Sequence, residues 1–167
     1  MLYWLTLLSD GGDFFNLFRY ITFRAGGAFL TALLFGFIFG QPLINVLRRT
    51  QGKGQPIRDD GPEGHFVKAG TPTMGGLLIV GALLTSTLLW ARLDNPFIWV
   101  VLFVTMSFAA IGFADDYAKV SKQTTAGVSG KVRLLLGFLI AGIAAYVSAL
   151  YHPAELQNQL ALPVFKD

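Results

Sequence analysis

An all-α polytopic membrane protein with four transmembrane helices is the fold class this sequence predicts, on three observations. Only 14% of its 167 residues are charged and 53% are hydrophobic, whereas a soluble domain carries about 25% charged residues. The charges are also unevenly placed. None lies between Arg24 and Arg48, Lys68 and Arg92, Asp94 and Asp115, or Arg133 and Glu155, leaving gaps of 23, 23, 20 and 21 residues. A helix rises about 1.5 Å per residue and a bilayer core is about 30 Å thick, so roughly 20 apolar residues cross it. Each gap is long enough.

The same composition excludes a water-soluble enzyme, a disulfide-stapled secreted module and a disordered tail. With no cysteine in the chain, thiol chemistry and thiolate metal sites are excluded too. The net charge of +3 is spread over membrane loops, where it sets orientation in the bilayer rather than binding to nucleic acid.

Taken in order, the first apolar stretch, Met1 to Leu8, has no basic start and runs into Asp10, Gly11, Gly12 and Asp13, which does not suit a signal peptide. Phe14 to Phe23 carries four phenylalanines and Tyr20 around Arg19, the composition of a segment lying at headgroup level. The four spans are expected at Ala25 to Leu47, Met74 to Trp90, Pro96 to Phe113 and Leu134 to Tyr151. Glycines 26, 27, 36 and 40 in the first and 137 and 142 in the fourth are tolerated in lipid and allow close helix packing. Pro42 is expected to kink the end of the first span. Trp4, Trp90, Trp99, Tyr20 and Tyr151 fall near span ends, as membrane-interface anchors do.

Orientation follows from the loops. Arg48 to Lys68 and Asp115 to Arg133 together hold nine of the thirteen basic residues, so the positive-inside rule puts both in the cytoplasm and the N-terminus in the periplasm. Arg19 and Arg24 oppose this without reversing it.

Both cytoplasmic loops carry candidate chemistry. In the first, Arg58-Asp59-Asp60-Gly61-Pro62-Glu63-Gly64-His65 precedes Lys68-Ala69-Gly70-Thr71-Pro72-Thr73-Met74-Gly75-Gly76. Thr71 is suited to cap a helix with Pro72 at its first position, and the free N–H groups there favour an anion. Lys68 and Thr73 would add donors to a phosphate or uracil group. The plain alternative is that Thr-Pro merely starts a helix. In the second loop, Asp115 and Asp116 are expected where the third span ends, at a helix C-terminus that disfavours negative charge. Lys119 is spaced to pair with either, and Gly112 leaves room one turn earlier. Adjacent carboxylates at membrane depth can contact a cation such as Mg2+ or act as a base. The alternative is a solvated acidic helix end. His65 and His152 lack metal-ligand spacing.

Taken together, Arg58 to Glu63, Gly70 to Gly76 and Gly112-Phe113-Ala114-Asp115-Asp116-Tyr117-Ala118-Lys119, in this order among four spans, resemble the bacterial phospho-N-acetylmuramoyl-pentapeptide transferases. They belong to the wider polyprenyl-phosphate sugar-1-phosphate transferase group. Tyr20 to Arg24 and Leu162 to Asp167 extend the likeness. It implies an inner-membrane enzyme of peptidoglycan synthesis, and hence of cell shape and division. Its reaction moves phospho-MurNAc-pentapeptide from UDP to undecaprenyl phosphate with Mg2+, giving lipid I and UMP. It further implies Asp115 and Asp116 as the catalytic pair near the metal, with Lys68, Thr73, Lys119 and Lys131 binding substrate. The implied partners are UDP-MurNAc-pentapeptide, undecaprenyl phosphate and the lipid bilayer, with no nucleic acid and room for a homodimer.

Members of the family are about twice as long, and their main Mg2+ ligand lies in a later half. The 167 residues are therefore read as an N-terminal part of one transferase domain, inactive alone. The rivals are weaker. A prenyl-diphosphate enzyme would need an acid where Lys119 stands, and a CDP-alcohol phosphotransferase would need further aspartates on the same helix. Another polyprenyl-phosphate hexosamine transferase or a non-enzymatic four-span subunit remains as the alternative, the latter predicting bland loops.

Overall fold

The computed structural model describes residues 1–52 and 72–152, and among these every regular element is helical. Two short 3-10 helices, Leu2–Leu8 and Phe14–Arg19, precede four α-helices: α1 (Ile21–Gln51), α2 (Gly76–Trp90), α3 (Pro96–Lys122) and α4 (Gly130–Tyr151). Arg58 to Glu63, His65, Lys68 and Thr71 lie outside the described residues, as does the segment after His152.

Three of the helices, α1, α3 and α4, are long and apolar enough to cross a membrane by themselves. α1 has 31 residues, about 46 Å of helix. It begins at Ile21 and takes in the end of the expected headgroup segment, because nothing between Tyr20 and the positive-φ Gly52 stops it. Pro42 sits inside this helix. The long stems of Arg24, Arg48 and Arg49 near its ends can carry their charges to the interfaces.

α2 departs from expectation. It has 15 residues, about 22 Å, and starts at Gly76 with no side-chain cap. Pro72 therefore does not open this helix, and the cap expected at Thr71 lies outside the described residues. Met74, with φ 70°, turns the chain between Pro72 and the helix in a conformation that costs an L-residue energy. The capping arrangement expected there occurs instead at α3. The Asn95 side chain accepts a hydrogen bond from the Phe97 N–H at 3.0 Å, with Pro96 opening the helix.

α3 runs to Lys122, well past the expected end at Phe113, and stops where Gln123 adopts a left-handed conformation. Asp115 and Asp116 are thus inside a helix, about two turns before its end, and the macrodipole penalty expected for them largely disappears, because that effect is confined to the last turn. α4 begins four residues earlier than expected, at Gly130, where the Ser129 side chain accepts from the Val132 N–H.

Small residues set the packing. A Cβ on Gly27 would overlap the Trp90 ring, while Gly40 faces Leu78 and Gly81 faces Phe35. These pairs run in opposite directions along the two chains, so α1 and α2 are antiparallel. Trp90 also stacks on Phe18 at 5.8 Å, and its indole N–H donates to Thr31 Oγ1 at 2.9 Å. It is a packing residue of the α1–α2 pair, not the simple interface anchor its position suggested; Trp4 and Trp99 remain exposed. Phe97 meets His152 at one end of α3 and α4, and Asp115 meets Arg133 at the other, so this pair is antiparallel too. The alternation brings the end of α1, the start of α2, the charged end of α3 and the start of α4 to one end of the bundle.

Candidate active site

At that end, Asp115 is the one buried charged residue among the described residues, 8% exposed. Three donors hold it. Its Oδ2 pairs with Lys119 Nζ at 2.8 Å, one turn further along α3. Its Oδ1 accepts from the Val128 N–H at 2.7 Å and from Arg133 Nη2 at 2.6 Å. The same Arg133 nitrogen also donates to the Val128 carbonyl at 3.3 Å, closing a ring between α3, the connecting segment and α4. The connection passes very close: a Cβ on Gly127 would collide with the Asp115 carboxylate and crowd Lys119 Cε. Only glycine fits that approach without a shift.

Asp116 has different surroundings. It is half-buried, and its Oδ2 accepts from the Thr73 hydroxyl at 3.1 Å. Thr73 is itself clasped by Gln51 at the end of α1, whose Oε1 accepts from the Thr73 N–H at 2.8 Å and whose Nε2 donates to the Thr73 carbonyl at 3.0 Å. Both polar ends of a buried amide are satisfied, as burial requires. The segment before α2 is thereby tied to α1 through its backbone and to α3 through its hydroxyl.

Between α2 and α3 lies a cavity of about 270 Å³, lined by Met74, Leu77, Val80 and Gly112 on its apolar side and by Asp115 and Asp116 at its polar end. A Cβ at Gly112 would meet nothing within 4 Å, so this glycine borders open space. Such a cavity, apolar along the bundle and anionic at its mouth, can take an extended chain carrying a polar head, provided cations screen the head.

Of the six residues expected to carry the chemistry, the structure brings together Thr73, Asp115, Asp116 and Lys119. Lys131 is exposed on the first turn of α4 and makes no ion pair among the described residues; Lys68 lies outside them. Gln51, Gly127, Val128 and Arg133 were not singled out by the sequence. Arg133 stood only as one of several loop cations, and its spacing of 18 residues from Asp115 carries no periodic signal. Gln51, a polar residue closing an apolar helix, was the more findable.

Three helices long and apolar enough to cross a membrane, bundled with a shorter apolar one and carrying a charged, cavity-bearing end, define a polytopic membrane protein. Residues 68–80 match the phospho-N-acetylmuramoyl-pentapeptide-transferase signature 1, a stretch that includes Thr73. Over all 167 residues the chain is 83% identical to the phospho-N-acetylmuramoyl-pentapeptide-transferases of Ruegeria sp. (strain TM1040) and Ruegeria pomeroyi, and over 168 aligned positions 70% identical to that of Dinoroseobacter shibae. It covers 46% of each, so the chain spans about half the length of the curated relatives it matches. Over its whole length the chain is thus similar to this family, and it carries the family's first signature.

Proposed function

We propose that the chain is part of a bacterial inner-membrane transferase that moves phospho-MurNAc-pentapeptide from UDP-MurNAc-pentapeptide to undecaprenyl phosphate, forming lipid I and UMP. The observation that carries this reading is the junction of two motifs: the signature stretch ends its approach to α2 with Thr73 hydrogen-bonded to Asp116 of α3. The segment expected to meet the nucleotide and the carboxylates expected to meet the lipid phosphate thus share one site. Lys68, five residues ahead of Thr73 in the sequence and outside the described residues, is assigned to a nucleotide phosphate; Lys119 and Lys131 are assigned to substrate phosphates. Two anionic substrates repel, so cationic groups are needed to bring them together.

Mg2+ is the proposed cofactor, and it would supply charge neutralisation at the transferring phosphate. Among the described residues no three acidic or imidazole side chains converge, but Asp116, with one oxygen that no described residue engages and a cavity beside it, fits a contributing ligand. Residues 1–167 accordingly supply part of the reaction centre and are not expected to turn over alone.

The test is UMP release from UDP-MurNAc-pentapeptide with undecaprenyl phosphate and Mg2+, in the full-length protein. Lys68→Ala is expected to raise KM for the nucleotide roughly tenfold with little change in kcat, as loss of a contact made equally in ground and transition states does. An unchanged KM would remove Lys68 from the nucleotide site.

The charged end is assigned to the cytoplasm, where the nucleotide is made available. A single cysteine at the exposed Thr125 should be labelled by an impermeant thiol reagent in inside-out vesicles and not in intact spheroplasts. The reverse pattern would invert the orientation.

A further inference from the structure

The two aspartates are neighbours in sequence, yet successive helical residues point about 100° apart, and here they meet different partners. Asp115 is engaged through both oxygens, by Lys119 on one and by Arg133 and the Val128 N–H on the other. Among the described residues Asp116 meets a single neutral hydroxyl donor, on one oxygen. Both reach the wall of the same cavity. For Asp115 to take a proton or contact a metal it would have to shed charge-assisted hydrogen bonds, which are about twice as strong as neutral ones, and open the ring that Arg133 closes through the Val128 carbonyl. Asp116, whose other oxygen no described residue engages, has less to shed. Gly127 adds a steric component that does not depend on charge, because the connection can lie against the Asp115 carboxylate only without a side chain there.

We infer that Asp115 is the positioning member of the pair, latched to the α3–α4 connection by Arg133, Val128 and the glycine at 127, and that Asp116 is the member whose carboxylate meets the substrate phosphate. Arg133 and Gly127 thereby become positioning residues. They hold the connection that carries Lys131 on the following turn, and they fix the rotation of α3 that turns Asp116 toward α2 and Thr73. The inference rests on the phosphate-transfer reading of this site.

It is tested in the full-length membrane-embedded protein with Arg133→Met, Arg133→Lys and Gly127→Ala, each read for kcat, nucleotide KM and thiol-labelling rate of a cysteine at Thr125. Arg133→Met is expected to lower kcat by roughly tenfold or more, since small misplacements of a reacting group are costly. It should leave KM within about twofold and speed labelling severalfold, while Arg133→Lys recovers part of each. Gly127→Ala, which keeps every charge, should speed labelling likewise. In an Asp115→Ala background, which removes the shared acceptor, the Arg133→Met loss should shrink, as expected for residues that act as one unit. Normal labelling and kcat in both Arg133→Met and Gly127→Ala would overturn the latch. Fully additive losses would overturn it too, by making Arg133 a direct substrate contact. If the unaltered protein releases no UMP, the transferase reading fails, whereas the labelling rates still decide whether the latch exists.

Discussion

Asp116→Asn in the full-length protein is expected to lower kcat by about 10²-fold or more, the size of a lost general base, with nucleotide KM within roughly twofold. Asparagine keeps the size of the side chain and still accepts from the Thr73 hydroxyl, so the local fold at the start of α2 should persist. It removes the negative charge and the proton acceptor at the mouth of the cavity. Asp115→Asn should lose less, because its carbonyl oxygen still accepts from Val128 and Arg133. Steady-state kinetics on both variants, with matched expression and matched unfolding midpoints, measure the difference. A near-normal kcat in Asp116→Asn would leave the pair as a structural end to α3.

The second large effect is structural. Asp115→Ala removes the common partner of Lys119, Arg133 and the Val128 N–H at a position that is 8% exposed. Breaking a fully buried ion pair from one side costs about 3–5 kcal/mol. The Arg133 side chain is half exposed, 51%, so water recovers part of its charge, and a cost of about 2–3 kcal/mol is the corresponding expectation. Two cations would then face each other with no anion between them. The measurable outcome is a lower thermal unfolding midpoint of the detergent-solubilised protein, recovered in large part by Asp115→Asn. An unchanged midpoint in Asp115→Ala would mean that the α3–α4 connection is held elsewhere.

The membrane class and the four apolar stretches were legible in the sequence because both follow from one-dimensional properties: the spacing of charges and the thickness of a bilayer. The acidic pair and Lys119 were legible for the same kind of reason, an i,i+4 relation that any helix realises; the structure selects Asp115 as the partner. Helix ends were less legible. The end of the apolar run at Phe113 marks where the hydropathy falls, whereas the helix continues to Lys122 because hydrogen bonds and ion pairs, not hydropathy, carry it on. Thr71-Pro72 has the composition of a helix start, and the positive φ of Met74 delays that start to Gly76.

What the sequence by itself determined, then, is everything local: the apolar lengths, the charged end, the pairing distance along one helix and the motifs shared with the family. Only the tertiary structure decided how the two aspartates divide. That division depends on Arg133 and Val128 meeting Asp115 across the α3–α4 connection, on Gly127 leaving space for it, and on Gln51 of α1 holding Thr73 against Asp116. These contacts join residues 12 to 43 positions apart. No periodicity encodes such separations, and they arise only when packed helices bring distant segments to the same end of the bundle.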